Sequence, residues 1–143
     1  MELVQYIYTS TCSEAMTLQL IYDTSCRNIG LCEQFGITGR VFANRQQALV
    51  IKEGPKDLVE RFYQSVCRDP YVATTLLHVN RIIPTREFHD CSVWLNIGTQ
   101  FTFNEKVRQL TPETVRLALP ANPSPRLRIM AEAYLDDDML IAV

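Results

Sequence analysis

The feature that most limits how this chain can fold is one helix-like segment between strand-like segments. Residues 2–10 are rich in β-formers. From Leu18 to Cys32, apolar residues recur at three-and-four spacing, which is typical of one face of an amphipathic helix. The hydroxyl side chains of Ser10–Ser13 can cap this helix, and Gly36 should end it, because glycine readily takes the left-handed conformation found just beyond a helix. Strand-like residues 37–43 and 48–51 follow, and the short connection between them suits an antiparallel hairpin.

The second half of the chain repeats this order. Pro55 suits the first turn of a helix that ends near Asp69, with apolar residues on one side. Residues 74–83 and 88–96 then have strand-like patterns. The order βαββαββ predicts an α+β, ferredoxin-like sheet that carries two helices on one face.

The tail is expected to cover the other face of this sheet. A Thr-Pro pair at residue 111 and a Ser-Pro pair at residue 124 are helix-start patterns, so we expect short helices over residues 110–119 and 124–134. The chain is therefore divided into residues 1–96, the ferredoxin-fold domain, and residues 97–143, a C-terminal helical extension that packs on the same domain.

Composition excludes several functional classes. A net charge of −2 with interspersed acids and bases argues against a nucleic-acid partner. No apolar run reaches the roughly 18 residues of a membrane helix, and the first residues do not resemble a secretory signal, so we expect a cytoplasmic protein without a membrane partner. The five cysteines are odd in number and form no CxxC pair, which predicts reduced thiols and no metal site.

Catalytic patterns are also absent from the sequence. It contains no nucleophile elbow, P-loop or Rossmann glycine pattern. His78 and His89 lack a nearby pattern of acid and nucleophile, so we expect them at the surface or the rim of the domain. The sequence therefore predicts no enzyme.

Five short segments form a further pattern between about residue 2 and residue 95. They are Leu3–Ser10 with its Tyr-x-Ser, Gly36–Gly39, Glu53–Pro55, Arg68–Asp69 and Arg86–Phe88. The most specific is the Gly-Ile-Thr-Gly of residues 36–39, at a turn from helix to strand. In these segments and in its order of elements the chain resembles the BLUF family of flavin-binding blue-light sensors.

The resemblance implies an FAD held edge-on between the two helices, with light altering a network of glutamine, tyrosine and flavin. Tyr8 keeps the tyrosine position. The place of the glutamine is Val50, and the place of the asparagine at the flavin ring is Cys32, with Asn28 one helical turn earlier. Tyr8, Asn28, Cys32 and Val50 are thus the flavin-site positions by resemblance.

The same comparison extends to the last strand. The family's tryptophan and methionine fall on Cys91 and Val93, whereas Trp94 faces the other way unless a bulge intervenes. Cys32 and Cys91 are expected to fill a gap between helix and sheet.

Three functions remain open at this point. The first is a degenerate BLUF-like domain that binds no cofactor and fills its cleft with side chains, because an empty cavity would destabilise the core. It would act as a protein-interaction or structural module, with exposed apolar residues such as Trp94, Leu95 and Ile97 as its partner surface. By analogy of fold we also expect a homodimer. The second is an FAD-binding blue-light photoreceptor with a divergent site, in which Asn28 and Tyr8 hold the ring. The third is a small-molecule or enzyme role on the ferredoxin-like scaffold, with acylphosphatase-type chemistry as the nearest example.

Overall fold

The computed structural model describes residues 2–141 and confirms the α+β class. The described residues form six strands and four α-helices. The strands are β1 (Leu3–Cys12), β2 (Thr38–Asn44), β3 (Gln47–Pro55), β4 (Val72–Ile82), β5 (Cys91–Asn96) and β6 (Val107–Gln109). The helices are α1 (Leu18–Phe35), α2 (Lys56–Arg68), α3 (Pro125–Tyr134) and α4 (Asp137–Leu140), with a 3₁₀ helix at Val115–Ala118.

The strands form one mixed sheet in the order β4-β1-β3-β2-β5-β6. The pairs β4–β1, β1–β3 and β3–β2 are antiparallel, as in the predicted ferredoxin-like plan, while β5 pairs in parallel with β2 and β6 in parallel with β5. Side chains alternate between the two faces of each strand. On β1, Tyr6 and Tyr8 pack in a cluster with α1 and α2, whereas Ile7 packs in a cluster with the tail. We call these two sides the helix face and the tail face of the sheet.

Helix α1 ends where the sequence predicts. Phe35 is its last residue, and Gly36 follows with φ 69°, in the left-handed region. The prediction that Ser10–Ser13 caps this helix is wrong, because β1 continues to Cys12 and uses its backbone groups in pairing. Thr17 caps α1 instead, since its hydroxyl accepts a hydrogen bond of 3.1 Å from the backbone N–H of Leu20.

Strand β5 begins later than its sequence pattern suggests. The backbone N–H groups of Glu87 and Phe88 donate to the carboxylate of Glu53, at 2.9 and 3.0 Å, and not to a neighbouring strand. These residues therefore belong to a loop, and regular pairing starts at Cys91.

The tail covers the second face of the sheet. Leu127, Met130 and Met139 pack against sheet residues of the tail face in one buried cluster. Helix α3 begins after Ser124, whose hydroxyl caps it, in agreement with the sequence pattern. In the other predicted segment, residues 110–119, the structure forms only the short 3₁₀ helix.

The expectation that Trp94, Leu95 and Ile97 are exposed is wrong. Their exposed fractions are 2%, 0% and 0%. Trp94 lies on the tail face and packs in the cluster that contains the tail residues, and Leu95 and Ile97 pack in a cluster with Ile21 and Ile29 of α1. Because the chain's own tail and helix cover them, these residues are core residues and form no surface for a partner.

Candidate functional site

A groove runs between α1 and α2 on the helix face. It consists of two adjacent depressions of 240 and 210 Å³ that share Leu31, Phe62 and Ser65. Leu31 and Phe35, at its mouth, are 45% and 42% exposed. An apolar groove with large exposed side chains at its mouth is typical of a binding site, and the two depressions together reach the lower part of the roughly 300–1,000 Å³ range of ligand pockets.

A buried lysine lies directly beneath this groove. Lys52 is only 3% exposed, and its Nζ donates to Asn28 Oδ1 at 2.7 Å and to Cys32 Sγ at 3.2 Å. The ring centroid of Phe62 is 5.8 Å from the ammonium. Lys52 therefore contacts two residues that line the groove, Asn28 and Phe62.

The hydrogen-bonding capacity of Lys52 is not filled. An ammonium group has three N–H donors, and the structure offers two acceptors, of which the sulfur is a weak one. Within residues 2–141 no carboxylate forms an ion pair with it. Burying a cation without full compensation is costly. One N–H donor of the buried ammonium thus has no protein acceptor among the residues that the structure describes.

Cys32 is the thiol of this cluster that ionises first. The neighbouring Cys91 thiol and the nearby Lys52 ammonium together outweigh burial and lower the pKa of Cys32 to about 6. The neighbouring Cys32, together with burial, raises the pKa of Cys91, whose S–H donates to the carbonyl of Ile37 at 3.0 Å. Cys32 and Cys91 pack in one buried cluster, as expected for side chains between helix and sheet.

Tyr8 and Val50 face each other across β1 and β3, in the same helix-face cluster. Tyr8 is 1% exposed, its ring lies edge-on to Tyr63 at 5.0 Å, and burial raises its pKa far above the usual range of a phenol. Val50 presents no hydrogen-bonding group beside it.

The structure therefore divides the four flavin-site positions predicted by resemblance. It brings Asn28, which lines the groove, into contact with the fully buried Cys32, and it places Tyr8 and Val50 next to each other in the cluster under the helices. Sequence reasoning missed Lys52. The signal was available, because Lys52 lies two residues after Val50 in a strand and must share its face.

The chain is thus a ferredoxin-like sheet with two helices on one face and a groove between them. The sequence profile of the family described as "Sensors of blue-light using FAD" matches residues 3–94, and the chain belongs to this BLUF family. No curated protein sequence is similar enough to count as a match.

Solved structures show the same fold. The structure titled "BlrB - a BLUF protein, dark state structure" has a TM-score of 0.63 and 23% identity, covering 92% of this chain and 95% of that one. "BlrP1 BLUF" has a TM-score of 0.61 and 18% identity, covering 97% and 90%. Klebsiella pneumoniae BlrP1 with FMN and cyclic diGMP has a TM-score of 0.71 and 18% identity, covering 95% of this chain but 35% of that one. The chain thus spans about a third of this larger protein.

These findings correct the expectation of a domain without a cofactor. That expectation is wrong because the family to which the chain belongs is described as using FAD. The residues of the groove fit such a group: Leu31 and Phe62 offer apolar walls, Asn28 an amide, and Lys52 a buried donor.

The family's description as sensors agrees with the prediction of a non-enzymatic domain. Among the helices that the structure describes, none has the length and apolar character needed to cross a membrane.

Proposed function

We propose that this chain is a flavin-binding sensory domain that holds the flavin ring in the groove between α1 and α2. The observation that carries this proposal is the buried ammonium of Lys52, which has an unfilled donor beneath an apolar groove. A bound flavin supplies absorption of blue light and the capacity to accept electrons.

The residues of the groove have separate roles in this proposal. The amide of Asn28 and the ammonium of Lys52 bind the polar edge of the ring. Leu31 and Phe62 pack against its apolar surface. At the ends of the groove, Arg27 and Arg61 are available to bind phosphate groups, for which guanidinium is the preferred partner.

The light response is where this chain departs from the network that the resemblance implies. Val50 cannot take part in a network of hydrogen bonds with Tyr8. A blue-light sensor built on this site must therefore read the flavin through Lys52, Asn28 and Cys32. The second candidate function is a flavin-binding domain without photochemistry that works as an interaction module. It follows from the presence of Val50 where the resemblance implies a glutamine.

Absorption spectra distinguish the two candidates. The purified protein is mixed with excess FAD, FMN or riboflavin, unbound flavin is removed, and spectra are taken before and after blue light. A retained flavin band supports the proposal, and a protein that retains none of the three contradicts it. A band that shifts reversibly under light favours the photoreceptor, whereas an unchanged band favours the interaction module.

A matched variant makes the light experiment sharper. Val50→Gln restores an amide opposite Tyr8. We expect this variant to show a light-induced shift that differs from that of the wild type, at a cost in stability of roughly 1–3 kcal/mol for a newly buried polar group. Identical spectra of the two proteins in darkness and in light would show that residue 50 does not face the flavin.

A sensory domain must also pass its signal to another protein or to a further domain. Apolar side chains of the tail are available for this contact, since Leu117, Ile129 and Ile141 are 59%, 63% and 59% exposed. The homodimer remains a prediction, and light scattering during gel filtration tests it directly.

A further inference from the structure

The two edges of the sheet differ in how well they are protected against pairing with another chain. Strands β4 and β6 lie at the two ends of the strand order. Strand β6 has three residues, contains Arg108 and directly follows Lys106. Strand β4 has eleven residues, about twice the usual length of a strand. Short length and charged side chains keep an edge from pairing, so β6 has the features of a protected edge and β4 lacks the first of them.

The outer edge of β4 is also uncharged along most of its length. Over residues 72–80 the only ionisable side chain is that of His78, whose Nε2 lies 2.8 Å from Thr9 Oγ1 on the neighbouring strand. Burial lowers the pKa of His78, which leaves the ring neutral at neutral pH. Arg81, near the end of the strand, is paired with Glu87. Neither charge nor proline therefore protects this edge.

Large apolar side chains of β4 are exposed. Leu76 and Ile82 are 60% and 66% exposed. Leu76 pairs with Thr9, which alternation places on the tail face together with Ile7. Within residues 2–141, no strand other than β1 pairs with β4. The edge thus combines free backbone groups with apolar surface that the described chain leaves uncovered.

The irregularity of β4 limits regular pairing to one segment. Its register against β1 shifts between Ile7 and Tyr8 and again between Thr11 and Cys12. Such bulges bend a strand locally. Between the two shifts, Thr74–Leu77 pairs regularly with β1. A regular, uncharged stretch at a sheet edge can accept a further strand through its backbone.

We propose that Thr74–Leu77 pairs with the same segment of a second copy of this chain, antiparallel, about a two-fold axis near Leu76. Antiparallel pairing of identical strands gives both copies the same contacts, which is the isologous arrangement of a two-fold dimer. The segment is uncharged, so two copies meet without repulsion between like charges. The exposed Leu76 side chains become neighbours on the tail face and cover part of each other.

Light scattering during gel filtration measures the association of the full chain. The protein is loaded in darkness at about 1 to 300 μM, and we expect a dimer that dissociates on dilution, because a short strand pair forms a small interface. Hydrogen exchange at the highest concentration should show added protection of backbone amides in β4 and none in β6. Protection confined to β4 distinguishes strand pairing from packing of one sheet face on another.

Charge variants of Leu76 test whether the partner is a second copy. Leu76→Lys and Leu76→Glu should each weaken the dimer at least about tenfold, because two like charges then face each other across the pair. An equimolar mixture of the two variants should restore it, since the charges are then opposite. Leu117→Lys, at a side chain that is 59% exposed on the tail, is the matched control and should leave the dimer intact. Circular dichroism checks that all variants fold.

The proposal is overturned by a chain that stays monomeric at every concentration, which would leave the edge to a different partner. It is equally overturned by a dimer that tolerates both charges at Leu76, by one that Leu117→Lys dissociates instead, or by one whose β4 amides gain no protection. Leu76 lies on the face opposite the groove, so flavin retention by Leu76→Lys should equal that of the wild type. The dimer and the flavin proposal can therefore fail separately.

Discussion

Lys52 and Glu53 are neighbours on β3, and their side chains lie on opposite faces of the sheet in different surroundings. On the helix face, the Lys52 ammonium has two acceptors, an amide oxygen and a sulfur. On the tail face, the Glu53 carboxylate is 0% exposed and accepts hydrogen bonds from the Gln5 amide and from the backbone N–H groups of Glu87 and Phe88. The Lys52 ammonium thus lacks an acceptor for one of its three donors, whereas the Glu53 carboxylate accepts hydrogen bonds from three donors.

The network around Glu53 continues to the tail. Glu87 accepts from the Gln5 amide at 2.7 Å and pairs with Arg81 at 3.2 Å. It also accepts from the backbone N–H of Ser124 at 2.7 Å, just before α3. Here the donors and acceptors satisfy one another within the chain, which is the arrangement that fixes a fold. The comparison teaches that the tail-face cluster serves structure, whereas the helix-face cluster has capacity left for a ligand.

Glu53→Ala should have the largest effect on stability. It leaves one N–H of the Gln5 amide and two backbone N–H groups without their acceptor, and each buried unsatisfied group is costly. We expect the free energy of unfolding to fall by about 3 kcal/mol, measured by urea denaturation. The exposed Glu132→Ala is the control and should change it by less than about 0.5 kcal/mol. A loss as small as that of the control would show that the tail-face network is dispensable.

Lys52→Met should separate binding from stability. Replacing an incompletely paired buried cation by an apolar side chain is expected to leave the free energy of unfolding unchanged or to raise it by about 1 kcal/mol. Flavin affinity should fall by about 2 kcal/mol, as expected for a lost hydrogen bond to a charged group, measured by quenching of flavin fluorescence. The exposed Lys56→Met is the matched control. Strong destabilisation together with unchanged affinity would reverse the roles assigned to the two clusters.

The pH dependence of Cys32 tests whether the helix-face cluster holds a negative charge. The lowered pKa of about 6 means that the thiolate is present above that pH and is lost as the pH falls through it. The ultraviolet absorbance of the Cys32 thiolate, taken as the difference between the wild type and Cys32→Ser, should therefore fall about tenfold from roughly pH 7 to pH 5 and change little above pH 7. Cys91, Lys52, Glu33 and Tyr8 are the ionisable groups that face it.

N-acetylcysteine is the control for this profile, because a free thiol with a pKa of about 8.5 keeps gaining thiolate through neutral pH. A profile for Cys32 that follows the free thiol would show that Lys52 and Cys91 do not stabilise the thiolate.

Ser124→Ala should have the smallest effect. The hydroxyl caps α3 and connects it to the network, since it donates to Glu87 at 2.8 Å and accepts from Arg81 at 3.0 Å. Losing the cap should cost about 1 kcal/mol. Hydrogen exchange should show faster opening of α3 with little change in β1 and β3. Equal loss of protection in the sheet would mean that tail and sheet unfold as one unit.

The sequence by itself determined the elements that depend on neighbouring residues. The three-and-four spacing of α1, its end at Gly36 and the hairpin of β2 and β3 follow from local periodicity and from the backbone preferences of glycine. Strand alternation also places Lys52 on the same face as Val50, so half of the candidate site could be read from the chain.

Tertiary structure decided what those side chains meet. The burial of Trp94 depends on a tail that follows it in the chain, and the late start of β5 depends on Glu53 binding the backbone N–H groups of Glu87 and Phe88. The contact of Cys32 with Cys91 likewise joins the end of a helix to the start of a distant strand. Periodicity shows which face of an element a residue occupies, but partners distant in sequence are set only by how the elements pack.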